Sequence, residues 1–255
     1  MMRRVEVLLN SSELAKRGAD LFAAEAAAAI ASRGEFSVAL SGGATPLPLY
    51  TLLATDEYLC RIDWSRIHFF WADERCVPHN HQGSNFYAIF APLLSRLQVD
   101  AAHFHRIPGE LPPDQAAFSI EKKLRSFFAG HSLPCFDLVL LGMGVDGHTA
   151  SIFPGSHSCL DASRIAVEVY LDKPHSNRVT LTMSVLNNSR NVVFIVSGKE
   201  KAETVRAVLE DDTPRYPASM VQLAKGTVTW LLDLDAASLL TGYNLPKGDN
   251  WRFNG

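Results

Sequence analysis

Short apolar runs alternate along this chain with longer amphipathic stretches, and turn residues separate the two kinds. The runs "FSVAL" (36–40), "RIHFFWA" (66–72), "FDLVLL" (136–141), "RIAVEVYL" (164–171), "RVTLT" (178–182) and "NVVFIVS" (191–197) each predict a buried strand. The opening "MMRRVEVLLN" adds a first strand. "SSELAKRGADLFAAEAAAAIASRG" predicts an alanine-rich helix ending at Gly34, with Ser11 or Ser12 giving an imperfect capping box. Further helices are expected over 46–54, about 84–97, 112–129 and 199–210. Strands that alternate with helices predict an α/β fold, a mainly parallel sheet covered by helices on both faces. No repeat, low-complexity tract or long linker divides residues 1–255, which predicts one domain.

Composition changes this picture little. With 255 residues, 47% hydrophobic and 20% charged, the chain can bury a large core. A formal net charge of −3 gives no global field for nucleic acid or an anionic membrane, so neither is expected as a partner. The most apolar stretch, "LFAAEAAAAIA", is interrupted by Glu25 and is too short to span a bilayer, and Glu6 breaks the only apolar run near the start. Cys60, Cys76, Cys135 and Cys159 are widely spaced and form no C-x-x-C pair, which predicts free thiols and a cytoplasmic setting.

Ligands of parallel sheets collect beyond the carboxyl ends of the strands, so the residues that follow each strand carry the candidate chemistry. After "FSVAL" comes Ser41, Gly42, Gly43, Ala44, Thr45 and Pro46 at a helix start. The two glycines allow close backbone approach, and Ser41 and Thr45 offer hydroxyls. This stretch reads either as an anion site or as a tight turn with Thr45 as an N-cap. It lacks the lysine and spacing of a Walker loop. After "RIHFFWA", Asp73, Glu74 and Arg75 stand together, as a site or as a solvated turn. His79 and His81 belong to no metal-ligand spacing.

Gly142, Gly144 and Gly147 follow "FDLVLL" at the spacing G-x-G-x-x-G. A dinucleotide turn requires a crossover helix and then a strand ending in an acidic residue about 20 positions on. Glu168 lies at that distance but within its strand, and Pro154 and Gly155 stop any helix too early. The alternative is a glycine-lined loop holding Asp146 and His148, in which the aspartate orients the imidazole as a base and glycine N–H groups stabilise an oxyanion. Lys199 and Lys201 open a helix after "NVVFIVS", where a bound anion would compensate their unfavourable position. Arg178 opens "RVTLT" and can reach the same anion or face water from an edge strand.

In this order and at these separations, "LSGGATP", "WADERCVP", "LLGMGVDGHTASIFP", "NRVTLT" and "SGKEKA" resemble the 6-phosphogluconolactonase family, from about residue 11 to 235. A larger group with the same modified Rossmann-like fold includes glucosamine-6-phosphate deaminase. The deaminase loop D-G-H-I-A-F-N-E-P carries a glutamate five residues after its histidine, where this chain has Phe153, and D-E-Y where this chain has Asp73, Glu74 and Arg75. The resemblance implies hydrolysis of a phosphosugar lactone without metal or redox cofactor. His148 would be the general base and Asp146 its orienting partner. Ser41, Gly42, Gly43, Thr45, Asp73, Arg75, Gly144, Arg178 and Lys201 would bind substrate and its phosphate, with Asp73 taking hydroxyls or positioning Arg75. Two other activities stay open, a deaminase-type isomerase and a non-enzymatic sugar-phosphate sensor, although no segment is spare for a helix-turn-helix. A monomer or weak oligomer is expected.

Overall fold

The computed structural model describes residues 2–156, 161–171, 177–211 and 215–241. The first half runs β1 (Met2–Leu8), α1 (Ser11–Arg33), β2 (Phe36–Leu40), α2 (Leu47–Leu53), α3 (Asp56–Arg61), β3 (Ile67–Trp71), β4 (Asp73–Arg75), α4 (Asn85–Phe90) and β5 (Phe104–His105). The second runs α5 (Pro113–Phe127), β6 (Leu138–Leu141), β7 (Ala166–Val169), β8 (Arg178–Leu181), α6 (Met183–Asn187), β9 (Asn191–Val196), α7 (Ala202–Glu210) and β10 (Thr227–Asp233).

Seven strands form one sheet in the order β1-β10-β9-β6-β2-β3-β5, and every neighbouring pair is parallel. Every residue of β2 and of β6 is buried. Successive side chains point to opposite faces, so burial without alternation means that both faces are covered. From β2 the chain steps outward to β3 and β5, then returns to β6 on the other side of β2 and continues to β9 and β10. The gap between β2 and β6 is therefore the topological switch point, where a crevice opens beyond the strand ends.

Several expectations need correction. "RIAVEVYL" and "RVTLT" do not join the parallel sheet. They pair with each other and with β4 in a separate antiparallel sheet, β4-β8-β7, against which α5 packs. Arg178 consequently stands on a central strand, not an edge. The helix expected over 84–97 stops at Phe90 and resumes only as a 3₁₀ turn at Leu94–Arg96. Pro92 has no N–H to continue the ladder and clashes with the turn before it. The start of α1 is capped by Asn10, whose Oδ1 accepts from Ser12 N and Glu13 N at 3.0 Å each, and not by Ser11 or Ser12. Strand β10, with six of its seven residues buried, was not anticipated from the apolar pattern. Cys60, Cys76 and Cys135 are free, and Cys159 lies outside the described residues. No described helix is long and apolar enough to cross a membrane.

Candidate active site

A cavity of about 350 Å³ opens at the switch point. Four strand ends contribute to it: Ser41–Pro46 after β2, Asp73 and Arg75 after β3, Gly142–Gly144, His148 and Ala150 after β6, and Glu200 and Lys201 after β9. Asn85, the first residue of α4, completes the lining. Of the residues that the family resemblance assigns to the site, all but Asp146 and Arg178 border this space. Asp146 stands directly behind His148.

The loop after β6 is folded by its own short-range bonds. Asp146 Oδ1 accepts from His148 N at 3.2 Å and lies 2.5 Å from His148 Nδ1. An aspartate two residues before a backbone N–H makes this local turn readily, and here it also captures the ring. The ionised carboxylate requires Nδ1 to carry the proton, which leaves a lone pair on Nε2. Gly144 lies under the pair. A Cβ there would stand 2.2 Å from His148 Nδ1 and 2.6 Å from Asp146 Oδ1, so no side chain fits. Gly147 has φ +74° and backs onto the Tyr216 ring. The amide of Gly144 donates to the His148 carbonyl at 2.9 Å, and that of Gly147 to the Gly144 carbonyl at 3.0 Å. These two N–H groups hold the loop and are not available to an oxyanion, which corrects the sequence expectation for Gly144 and Gly147. Among the described residues no crossover helix follows Gly147, so the glycine spacing serves the Asp146–His148 turn. The Phe153 ring lies 4.7 Å from the His148 ring.

Asp73, Glu74 and Arg75 are not a solvated turn. Asp73 and Glu74 are buried in β4. Glu74 accepts from Arg75 N (2.7 Å), Asn85 N (2.7 Å), Phe86 N (2.8 Å) and Ser84 Oγ (2.9 Å), which ties the start of α4 to the sheet. Burial raises its pKa and these donors oppose the rise. Arg75 donates to the Gly83 carbonyl at 2.7 Å. The β4–β8 register sets Arg178 opposite Arg75. Burial, with the neighbouring Arg75 charge second, lowers the Arg178 pKa. Arg178 therefore stands beside Arg75 on the same face of the small sheet, outside the described cavity lining.

The other two walls carry less of the chemistry read from the sequence. Ser41 is buried, its carbonyl accepts from Tyr50 Oη at 2.7 Å, and its Oγ has no partner among the described residues. Pro46 occupies the α2 cap position without a side-chain cap bond, so Thr45 is not an N-cap. Burial lowers the Lys201 pKa, an effect that Glu200 and Asp233 oppose. Lys199 does not line the cavity. Among the described residues, no three His, Cys, Asp or Glu side chains converge as a metal ligand set. Asn85, Ser151 and Glu200 were missed in the sequence, since nothing local distinguishes them from surface polar residues.

A parallel sheet with an oriented imidazole at its switch point, in a pocket that Arg75 and Lys201 also line, defines a Rossmann-like α/β protein. The chain belongs to the family of glucosamine-6-phosphate isomerases and 6-phosphogluconolactonases, whose model matches residues 9–230. It is 40% identical over 247 residues to the human protein named 6-phosphogluconolactonase, covering 93% of each chain. The protein of that name from Synechocystis is 37% identical over 246 residues, covering 94% of this chain and 99% of its own. The solved 6-phosphogluconolactonase from Trypanosoma cruzi superposes with a TM-score of 0.84 at 29% identity, covering 94% of this chain and 98% of its own.

Proposed function

We propose that this chain hydrolyses the ring ester of 6-phosphoglucono-δ-lactone to 6-phosphogluconate, in the oxidative pentose phosphate pathway. The observation that carries the reading is the Asp146–His148 pair, 2.5 Å apart, facing the cavity that Arg75 and Lys201 also line. Asp146 accepts a hydrogen bond from Nδ1–H, and Nε2 takes a proton from water as the oxygen attacks the C1 carbonyl, leaving an imidazolium. Collapse of the tetrahedral adduct breaks the bond from C1 to the ring oxygen. The imidazolium returns its proton to that oxygen, which becomes the C5 hydroxyl. A positioned base is worth roughly 10²- to 10⁴-fold, which suits an ester already strained in a ring.

Lys201 and the Ser41–Thr45 loop hold the phosphate, and Arg75, with Arg178 opposite it across the strands, adds positive charge. Burial disfavours the Lys201 ammonium, so a bound phosphate dianion offsets that penalty. The neighbour of His148 argues against the deaminase chemistry. Where that reaction needs a carboxylate, Phe153 presents an apolar ring.

The test is loss of freshly generated lactone above its spontaneous rate. Wild type should accelerate it, His148→Ala should lower kcat by roughly 10²- to 10⁴-fold with KM little changed, and the unphosphorylated lactone should be a poor substrate. Absence of acceleration by wild type rejects the reading, and ammonia release from glucosamine 6-phosphate would favour the deaminase.

A further inference from the structure

Asp73 is the point where two distant segments meet. From the loop after β6, Ser151 Oγ donates to Asp73 Oδ2 at 2.6 Å. From the start of α4, Asn85 Nδ2 donates to Asp73 Oδ1 at 3.1 Å and to the Asp73 carbonyl at 2.9 Å. All three residues are buried. Both side-chain donors are uncharged, so they orient the carboxylate without cancelling its charge, and an ionised carboxylate has about four acceptor positions of which they fill two.

The surroundings of these donors bear costs that the fold alone does not explain. Asn85 must turn its amide protons toward Asp73, because the opposite flip would set Oδ1 against a carbonyl and a carboxylate. Its Oδ1 is then buried without a partner among the described residues, against the face of Gly42, where a Cβ would come within 2.0 Å. Ser151 is introduced by Ala150, a non-glycine residue at φ +48°, and its own N–H is pinned to Thr180 Oγ1 at 3.2 Å. An unsatisfied acceptor on one side and a left-handed alanine on the other both serve the aim of a single carboxylate that borders the cavity.

We infer that Asn85 and Ser151 are positioning residues that aim the free acceptor positions of Asp73 at hydroxyl groups of the sugar acid, making Asp73 the reader of the polyol and not of the phosphate. A phosphate dianion has no proton to donate to a carboxylate, whereas a hydroxyl has. The inference rests on the lactonase reading for its choice of a phosphorylated polyol.

The test is calorimetric titration of the full chain with 6-phosphogluconate and, separately, with inorganic phosphate. Ser151→Ala and Asn85→Ala should each weaken 6-phosphogluconate by roughly tenfold and leave inorganic phosphate unchanged. Because both act through Asp73, adding Ser151→Ala to Asp73→Ala should cause no further loss. Equal weakening of the two ligands, or additive losses in the double variant, would overturn the inference while leaving the lactonase reading intact. A wild-type protein that bound no 6-phosphogluconate would overturn both. Ser151→Ala removes one oxygen from a well-packed loop, so it carries the test if Asn85→Ala does not fold.

Discussion

The Asp146–His148 pair depends on an atom that is absent. The imidazole and carboxylate occupy the volume a side chain at Gly144 would need, so Gly144→Ala should push them off the cavity. A displacement of this size costs roughly 10²-fold in rate. The expected outcome is a kcat loss of that order with an unchanged melting temperature, and a fully active Gly144→Ala variant would contradict the geometry. Lys201→Ala should instead mainly raise KM, because its charge is used in ground and transition states alike. Steady-state kinetics that put the Lys201 effect in kcat would exchange the two roles. At this scale the sequence was informative where chemistry is local. Asp146 and His148 make their turn within five residues of Gly144, and the glycines announce it. Asn85 and Ser151 act on Asp73 from 12 and 78 positions away, and no local pattern records such a meeting.

Element α4 is six residues long and too short to be stable alone. It is held by Glu74, whose carboxylate receives two of the N–H groups that a helix start leaves unpaired. Glu74→Gln replaces one acceptor oxygen with a donor that faces those amides. Urea melts should register a loss of about 1–3 kcal/mol, and KM should rise as Asn85 shifts with the helix. An unchanged melt would mean that packing of Ile89, and not the carboxylate, fixes α4. The sequence signalled the strands correctly as buried but not their sheet. "RIAVEVYL" and "RVTLT" have the same apolar character as the parallel strands, and direction is decided by connections: only eight residues separate β7 from β8, too few for a crossover, so they pair as antiparallel neighbours. The break at Pro92 was present in the sequence and follows from its missing N–H.

Across the whole molecule, the far end of the sheet should respond to acid. His68 Nδ1 lies 3.1 Å from His105 Nε2, the His68 ring stacks on His103 at 4.5 Å, and His105 stacks on Phe70 at 4.3 Å. Burial, followed by the charges of Lys123, His68 and His103, holds His105 down to about 3, and burial also lowers His68. The unfolded chain binds these protons at ordinary histidine values, so it gains protons first as pH falls. The stabilisation is complete above about pH 6.5 and is lost progressively as pH falls toward 3. Urea melts of wild type below pH 6.5 should lose up to about 1.4 kcal/mol per pH unit for this proton. His105→Phe, which keeps the stack on Phe70, should have the shallower slope; parallel slopes would show that the cluster is not responsible. Strand order was the least legible property, since pattern along a chain says nothing of which strands become neighbours.

One such neighbour pair has a consequence during synthesis. Strand β1 is paired along its whole length with β10, more than two hundred residues later. At roughly 5–20 residues per second, β1 leaves the ribosome roughly ten to forty seconds before its partner exists. For that interval Val5, Val7 and Leu8 have no strand to lie against, and the nascent chain carries an unpaired hydrophobic edge of the kind that chaperones recognise.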